Sequence, residues 1–217
     1  MTYESTAATG LFDEVWVVTD SEIIYNEITG HGGKAMLSKR EHVCGTDRIA
    51  EAALSLDADI ILNVQGDEPF TSREPLEKLL AAFKGPEAAE IDAASLMQPL
   101  EWPDQIANPS FVKVVVDLRH FAMYFSRQAI PYRADPQAGV PYYKHIGVYA
   151  FRRQALLDFY HAAPTPLELA EKLEGNRYLE MGKKMKMVLA AYPGIQVDTP
   201  QDLKDANKYW NQMQQAS

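Results

Sequence analysis

Short apolar runs alternate with amphipathic stretches along the chain, and that alternation predicts strands separated by helices. Residues 13–18, with Val15, Trp16, Val17 and Val18, predict a buried strand. Ser21 is placed to cap a helix through Ile23, Ile24 and Ile28 that stops at Gly30. A second helix starts near Thr46, with Ile49, Ala53 and Leu54 on its apolar face. Residues 58–64 predict a strong strand, ended by Gln65-Gly66-Asp67-Glu68-Pro69. Thr71-Ser72-Arg73-Glu74 reads as a capping box for a helix through Leu76, Leu79 and Leu80 to Gly85. In the middle, residues 112–117 and 121–126 are strand-like around the polar turn Leu118-Arg119-His120. Pro131, Pro136, Gly139 and Pro141 make residues 132–143 an irregular loop. A strand over 145–151 and a helix over 153–161 follow. Thr165-Pro166 then opens one long helix to about Met181. A last strand covers 185–191, and Thr199-Pro200 starts the final helix.

This order predicts one α/β domain over residues 1–217, with a mostly parallel, doubly wound sheet and a small central lobe at about 118–150. In such sheets ligands sit beyond the carboxyl ends of the strands, so the residues just after each strand matter most. The charge balance is 21 basic against 30 acidic residues, net −9, which disfavours a nucleic-acid partner. With 47% hydrophobic and 24% charged residues, global disorder is excluded. The single cysteine, Cys44, cannot form an internal disulfide and fits a reducing compartment. The densest apolar runs are strand-sized, and the start lacks a basic segment followed by an apolar one, so no membrane partner and a cytoplasmic location are expected.

Chemistry concentrates after the second strong strand. Asn63-Val64-Gln65-Gly66-Asp67-Glu68-Pro69 packs an amide, a glycine and two carboxylates beyond an apolar run. A carboxylate there suits a hard cation such as Mg²⁺, given further oxygens from protein or substrate. Asp198, again after a strand and before a helix, is the second candidate ligand, although alone it reads as support for the Thr199 cap. Asp57-Ala58-Asp59 imitates the metal motif of glycosyltransferases but precedes its strand, at the wrong end of the sheet.

The run Asn-Val-Gln-Gly-Asp-Glu-Pro resembles the signature of the 3-deoxy-manno-octulosonate (Kdo) cytidylyltransferase family. Further segments match in order: His42-Val43-Cys44-Gly45-Thr46-Asp47-Arg48, Asn108-Pro109 with Val112-Lys113-Val114-Val115, and Tyr124-Phe125-Ser126-Arg127 with Ile130-Pro131. Lys144-His145-Ile146-Gly147-Val148-Tyr149 and Val197-Asp198-Thr199-Pro200 complete the series. The resemblance implies a Rossmann-like nucleotidyltransferase fold, a homodimer built on the central lobe, and the reaction CTP plus Kdo to CMP-Kdo plus pyrophosphate, a step of lipopolysaccharide biosynthesis.

It also implies roles. Asp67 and Asp198 would be the catalytic residues and hold Mg²⁺; Gly45, Thr46, Arg48 and Gln65 would contact the nucleotide, through free N–H groups at a helix start near Thr46. Gln65, Arg127, His145, Tyr149, Glu168 and Glu171 would contact the sugar acid, arginine suiting the carboxylate. Two departures from the family pattern stand out. Leu173-Glu174-Gly175 replaces Leu-Glu-Gln and removes an amide that would reach the sugar. The family's opening strand and basic glycine-containing phosphate loop, roughly 30 residues at average element lengths, find no match, so the chain is expected to be incomplete at its N-terminus. The alternative expectation is a non-catalytic remnant that binds nucleotide weakly or dimerises.

Overall fold

The computed structural model describes residues 1–40, 42, 44–135, 137–192, 197 and 199–216. Helix α1 (Thr2–Ala8) is followed by β1 (Trp16–Thr19), α2 (Glu22–Gly30), β2 (Lys34–Leu37), α3 (Gly45–Ala53), β3 (Ile60–Asn63) and α4 (Arg73–Ala82). Next come β4 (Ala93–Leu100), α5 (Pro103–Ala107), β5 (Lys113–Val116), β6 (Ala122–Ser126) and β7 (Tyr142–Arg152). The chain finishes with α6 (Arg153–His161), α7 (Pro166–Glu171), α8 (Glu174–Glu180), β8 (Met185–Leu189) and α9 (Pro200–Ala216).

Six strands share one sheet. β7 pairs with β4 along one edge, while β3 and β5 divide its other edge; β8 adds to β4 and β6 to β5. β1 and β2 pair in parallel as a separate ribbon. The expectation of a mostly parallel sheet needs correcting: among the described residues only β4 and β8 are parallel neighbours within the six strands. β3, β4, β5 and β8 do run one way, but β7 and β6 run against them. The middle of the chain explains this, because β5 and β6 are joined by a short turn, which only antiparallel neighbours tolerate.

Alternate residues of the central strands feed two cores. Tyr149 and Phe151 of β7 join Leu156, Phe159 and Tyr178 on one face. Ile146, Val148 and Ala150 join Leu76 and Leu79 of α4 on the other. Each fully buried Leu or Phe contributes about 1.5–3 kcal/mol, so a helix on each face is what makes the sheet stable.

Three local expectations change. The long helix after Thr165 is two helices, because Lys172 takes a left-handed conformation (φ 57°, ψ 46°) that ends α7. The cap of α4 is Ser72 without a side-chain bond, since the Thr71 hydroxyl donates to the Glu68 carbonyl at 3.1 Å instead. β4 is unmarked in the pattern because Ala93, Ala94 and Ser95 are small, yet it is buried on both faces. At α7 the proline start is held by Glu168, whose Oε2 accepts from Thr165 N–H at 3.1 Å.

Candidate active site

The chain leaving β3 turns tightly, with Glu68 N–H donating to the Gln65 carbonyl at 3.1 Å. Gln65 lies over the start of α3: a Cβ added to Gly45 would stand 3.5 Å from Gln65 Oε1. Two motifs, separate in sequence, therefore meet at one edge of the sheet, at a distance that is ordinary van der Waals contact. Asp67 is half-buried, and its carbonyl accepts from Val197 N–H at 3.0 Å. A cavity of about 260 Å³ adjoins it, lined by Gly66, Asp67, Pro69, Phe70 and Val197 among others. Asp198 lies outside the described residues. Among those described, no group of three or more His, Cys, Asp or Glu side chains is arranged to hold a metal ion.

The N-terminus of α3 is not open in the way the sequence suggests. Thr46 is fully buried, its hydroxyl donates to Glu174 Oε1 at 2.8 Å, and its backbone N–H also serves that carboxylate. The expectation of free N–H groups near Thr46 is corrected to this extent: a carboxylate from α8 occupies the electropositive helix end. Burial pushes the Glu174 carboxyl up, while Thr46 and the Cys44 thiol hold it down. Arg48 pairs with Asp20 just beyond β1, Nη2 to Oδ2 at 2.7 Å.

A row of rings runs through the sheet face above. Phe125 and His145 lie 4.7 Å apart between centroids, His145 and Tyr149 5.3 Å, and Tyr149 stacks on Phe151 at 5.5 Å. His145 Nε2 lies 2.9 Å from Ser95 Oγ. Burial pushes the His145 pKa down to about 3, so the ring is neutral. Tyr149 is buried in the row, which raises its phenol well above the usual value.

Arg127 is held from several sides. Its Nε donates to the Glu171 carbonyl at 2.9 Å, its Nη1 to the Pro109 carbonyl at 3.3 Å, and its backbone N–H to Glu171 Oε2 at 3.0 Å. Glu171 also accepts from Ser126 Oγ at 2.6 Å and Tyr124 Oη at 3.2 Å. Burial alone would raise the Glu171 carboxyl, but these donors outweigh it and hold the group below its usual range. Beneath lies Lys113, fully buried, whose Nζ donates to the carbonyls of Asn108 at 2.9 Å and Arg127 at 2.5 Å.

Glu168 is placed differently from its expected sugar-side partners. Both its oxygens are engaged by buried Arg177, Nε to Oε2 at 2.6 Å and Nη2 to Oε1 at 2.5 Å, and Oε2 also accepts from Thr165 N–H. Breaking such a pair by removing one partner costs about 3–5 kcal/mol, so Glu168 ties α7 to α8. Gly175 has a structural reason of its own: a Cβ there would meet the Phe125 ring at 3.0–3.1 Å. Ser95 carries no signal in the sequence, because an isolated polar residue in an apolar run has no spacing pattern, whereas Glu174 shares the three-residue spacing of Glu168 and Glu171 but turns inward to Thr46.

A family model described as Cytidylyltransferase matches residues 1–185. The 3-deoxy-manno-octulosonate cytidylyltransferase of Flavobacterium johnsoniae is 56% identical over 205 residues, covering 94% of this chain and 84% of that protein. Its counterpart in Acaryochloris marina is 39% identical, covering 97% and 85%. A solved structure described as CMP:2-keto-3-deoxy-manno-octonic acid synthetase complexed with CTP superposes with a TM-score of 0.90 at 35% identity, covering 97% of this chain and 86% of that one. A 4-diphosphocytidyl-2C-methyl-D-erythritol synthase from Anaerococcus prevotii shares the fold, with a TM-score of 0.62 at 19% identity.

Proposed function

The chain belongs to the cytidylyltransferase family whose members include the 3-deoxy-manno-octulosonate cytidylyltransferases, and from that premise we propose that it transfers CMP from CTP to Kdo, releasing pyrophosphate. The anomeric hydroxyl of the sugar acid attacks the α-phosphorus in line, and the bond to the pyrophosphate oxygen breaks. Two anions must meet, so the protein's tasks are positioning and charge compensation.

The observation that carries this reading is the meeting of Gln65 and Gly45 at the edge that also holds Asp67. Gly45, Arg48 and Gln65 serve the nucleotide, while Thr46, buried against Glu174, holds the start of α3 beneath them. Arg127, whose guanidinium is steadied by the Glu171 and Pro109 carbonyls, serves the sugar carboxylate. His145, Tyr149 and Glu171 line the sugar side, and Glu168 acts through Arg177 as a brace. Asp67 and Asp198 form a donor set suited to Mg²⁺, which takes one or two carboxylates and completes its shell with phosphate and water oxygens; when bound it would neutralise phosphate charge. The association of Val197 with Asp67 supports that pairing. The homodimer formed through the central lobe and the cytoplasmic location belong to the same reading; the lone cysteine fits the latter. No described helix is long and apolar enough to cross a membrane.

Incubating the chain, preceded by the family's opening strand and phosphate loop, with CTP, Kdo and Mg²⁺ is expected to release pyrophosphate. Asp67→Asn should slow release by about 100-fold or more, and chelation of the metal should abolish it. CTP binding without any release would favour the non-catalytic alternative and overturn the transferase reading.

A further inference from the structure

We propose that Ser95 is a positioning residue that locks His145 in one tautomer, with the proton on Nε2 and the lone pair on Nδ1. The ring then accepts a hydrogen bond from a hydroxyl of the bound sugar acid; this last step rests on the substrate reading above.

Ser95 sits at an irregularity of the β4–β7 pairing. Ser95 faces Tyr149 and Leu96 faces Ile146, so Gly147 and Val148 have no counterparts in β4. The fully buried Ser95 hydroxyl lies inside this bulge, 3.0 Å from the Ile146 carbonyl, 2.9 Å from the Val148 carbonyl and 2.9 Å from His145 Nε2. A hydroxyl has one proton and two lone pairs. The two carbonyl oxygens can only accept, so the hydroxyl proton belongs to one of them. If it went to Nε2 instead, Oγ lone pairs would face two carbonyl oxygens at bonding distance in a dry interior, a costly arrangement. Nε2 must therefore be the donor and Oγ its acceptor.

Burial keeps the ring neutral, leaving one ring proton to assign. Phe125 and Tyr149 flank the imidazole and restrain its reorientation. Nδ1 makes no hydrogen bond among the described residues. A lone pair at that position repels carboxylate and phosphate oxygens and welcomes a hydroxyl, which directs the sugar carboxylate to Arg127. Ser95 would thus contribute to sugar selectivity without touching the sugar.

The test is the nitrogen spectrum of the full chain labelled with ¹⁵N-histidine, with the His145 signals identified by their loss in His145→Gln. The native chain should show an Nε2-protonated ring, Ser95→Thr should preserve it, and Ser95→Ala should populate the Nδ1-protonated form. In turnover, Ser95→Ala should raise KM for the sugar acid about five- to tenfold and leave KM for CTP unchanged. An Nδ1-protonated ring in the native chain, or an unchanged tautomer in Ser95→Ala, would overturn the proposal. If Ser95→Ala does not fold, the native and Ser95→Thr spectra decide. Failure to release pyrophosphate would count against the substrate reading, whereas the tautomer is read without any substrate.

Discussion

At the scale of single residues, the environment sets the chemistry more than residue type does. A histidine at a strand start reads as a structural residue, and only its burial between Phe125 and Tyr149 beside Ser95 makes it a neutral ring with an assigned proton. That burial has a consequence for stability. The folded chain holds His145 at about 3, whereas an unfolded histidine titrates near 6.5. Between those values the unfolded chain takes up the proton and the folded chain does not, so stability falls as pH drops from about 6.5 towards 3. Urea unfolding at a series of pH values should show this loss in the native chain, with a contribution approaching about 1.4 kcal/mol per pH unit. His145→Gln should lack that part of the slope; equal slopes would show that the ring is not kept neutral by the fold. Arg127 and Glu171 were legible as a polar pair of motifs, but not their mutual bracing, because their sequence separation hides a contact made only across β6 and α7.

Elements succeed or fail as expectations according to how local their causes are. The starts of α7 and α9 follow from Thr-Pro dipeptides, and in α9 Thr199 and Asp202 exchange hydrogen bonds as a capping pair. The break between α7 and α8 was not legible, since nothing in Glu171-Lys172-Leu173 opposes a helix. It forms because Glu174 turns inward to Thr46 while Glu168 binds Arg177. Gly175 belongs to this scale. Its replacement of the family's glutamine looks like a lost contact in the sequence, and in the structure it is the gap into which Phe125 fits. Gly175→Ala should therefore destabilise the chain by up to about 2 kcal/mol, the overpacking cost of about 1–3 kcal/mol less a gain in helix propensity of about 1. Chemical denaturation checks the sign, and a stabilised variant would mean that Phe125 moves aside freely.

At the scale of the whole molecule, direction of strands and location of exposed apolar groups dominate. Leu118, Met123, Tyr132 and Val140 are large and exposed, and all belong to the central lobe. These side chains are available to the homodimer proposed above. The chain is expected to sediment near twice 24.3 kDa, and Tyr132→Glu should shift it towards the monomer; a monomer at every concentration would remove the dimer from the proposal. The sequence by itself determined the α/β class, the helix starts at Thr-Pro, and the family, because hydrophobic period, caps and contiguous motifs are local properties of the chain. Only the tertiary structure decided that β7 runs against its neighbours, that Glu174 fills the start of α3, that Glu168 braces Arg177, and that Ser95 reaches His145. Those depend on pairings across tens of residues, whose energies arise from burial and shared hydrogen bonds once the layers are packed.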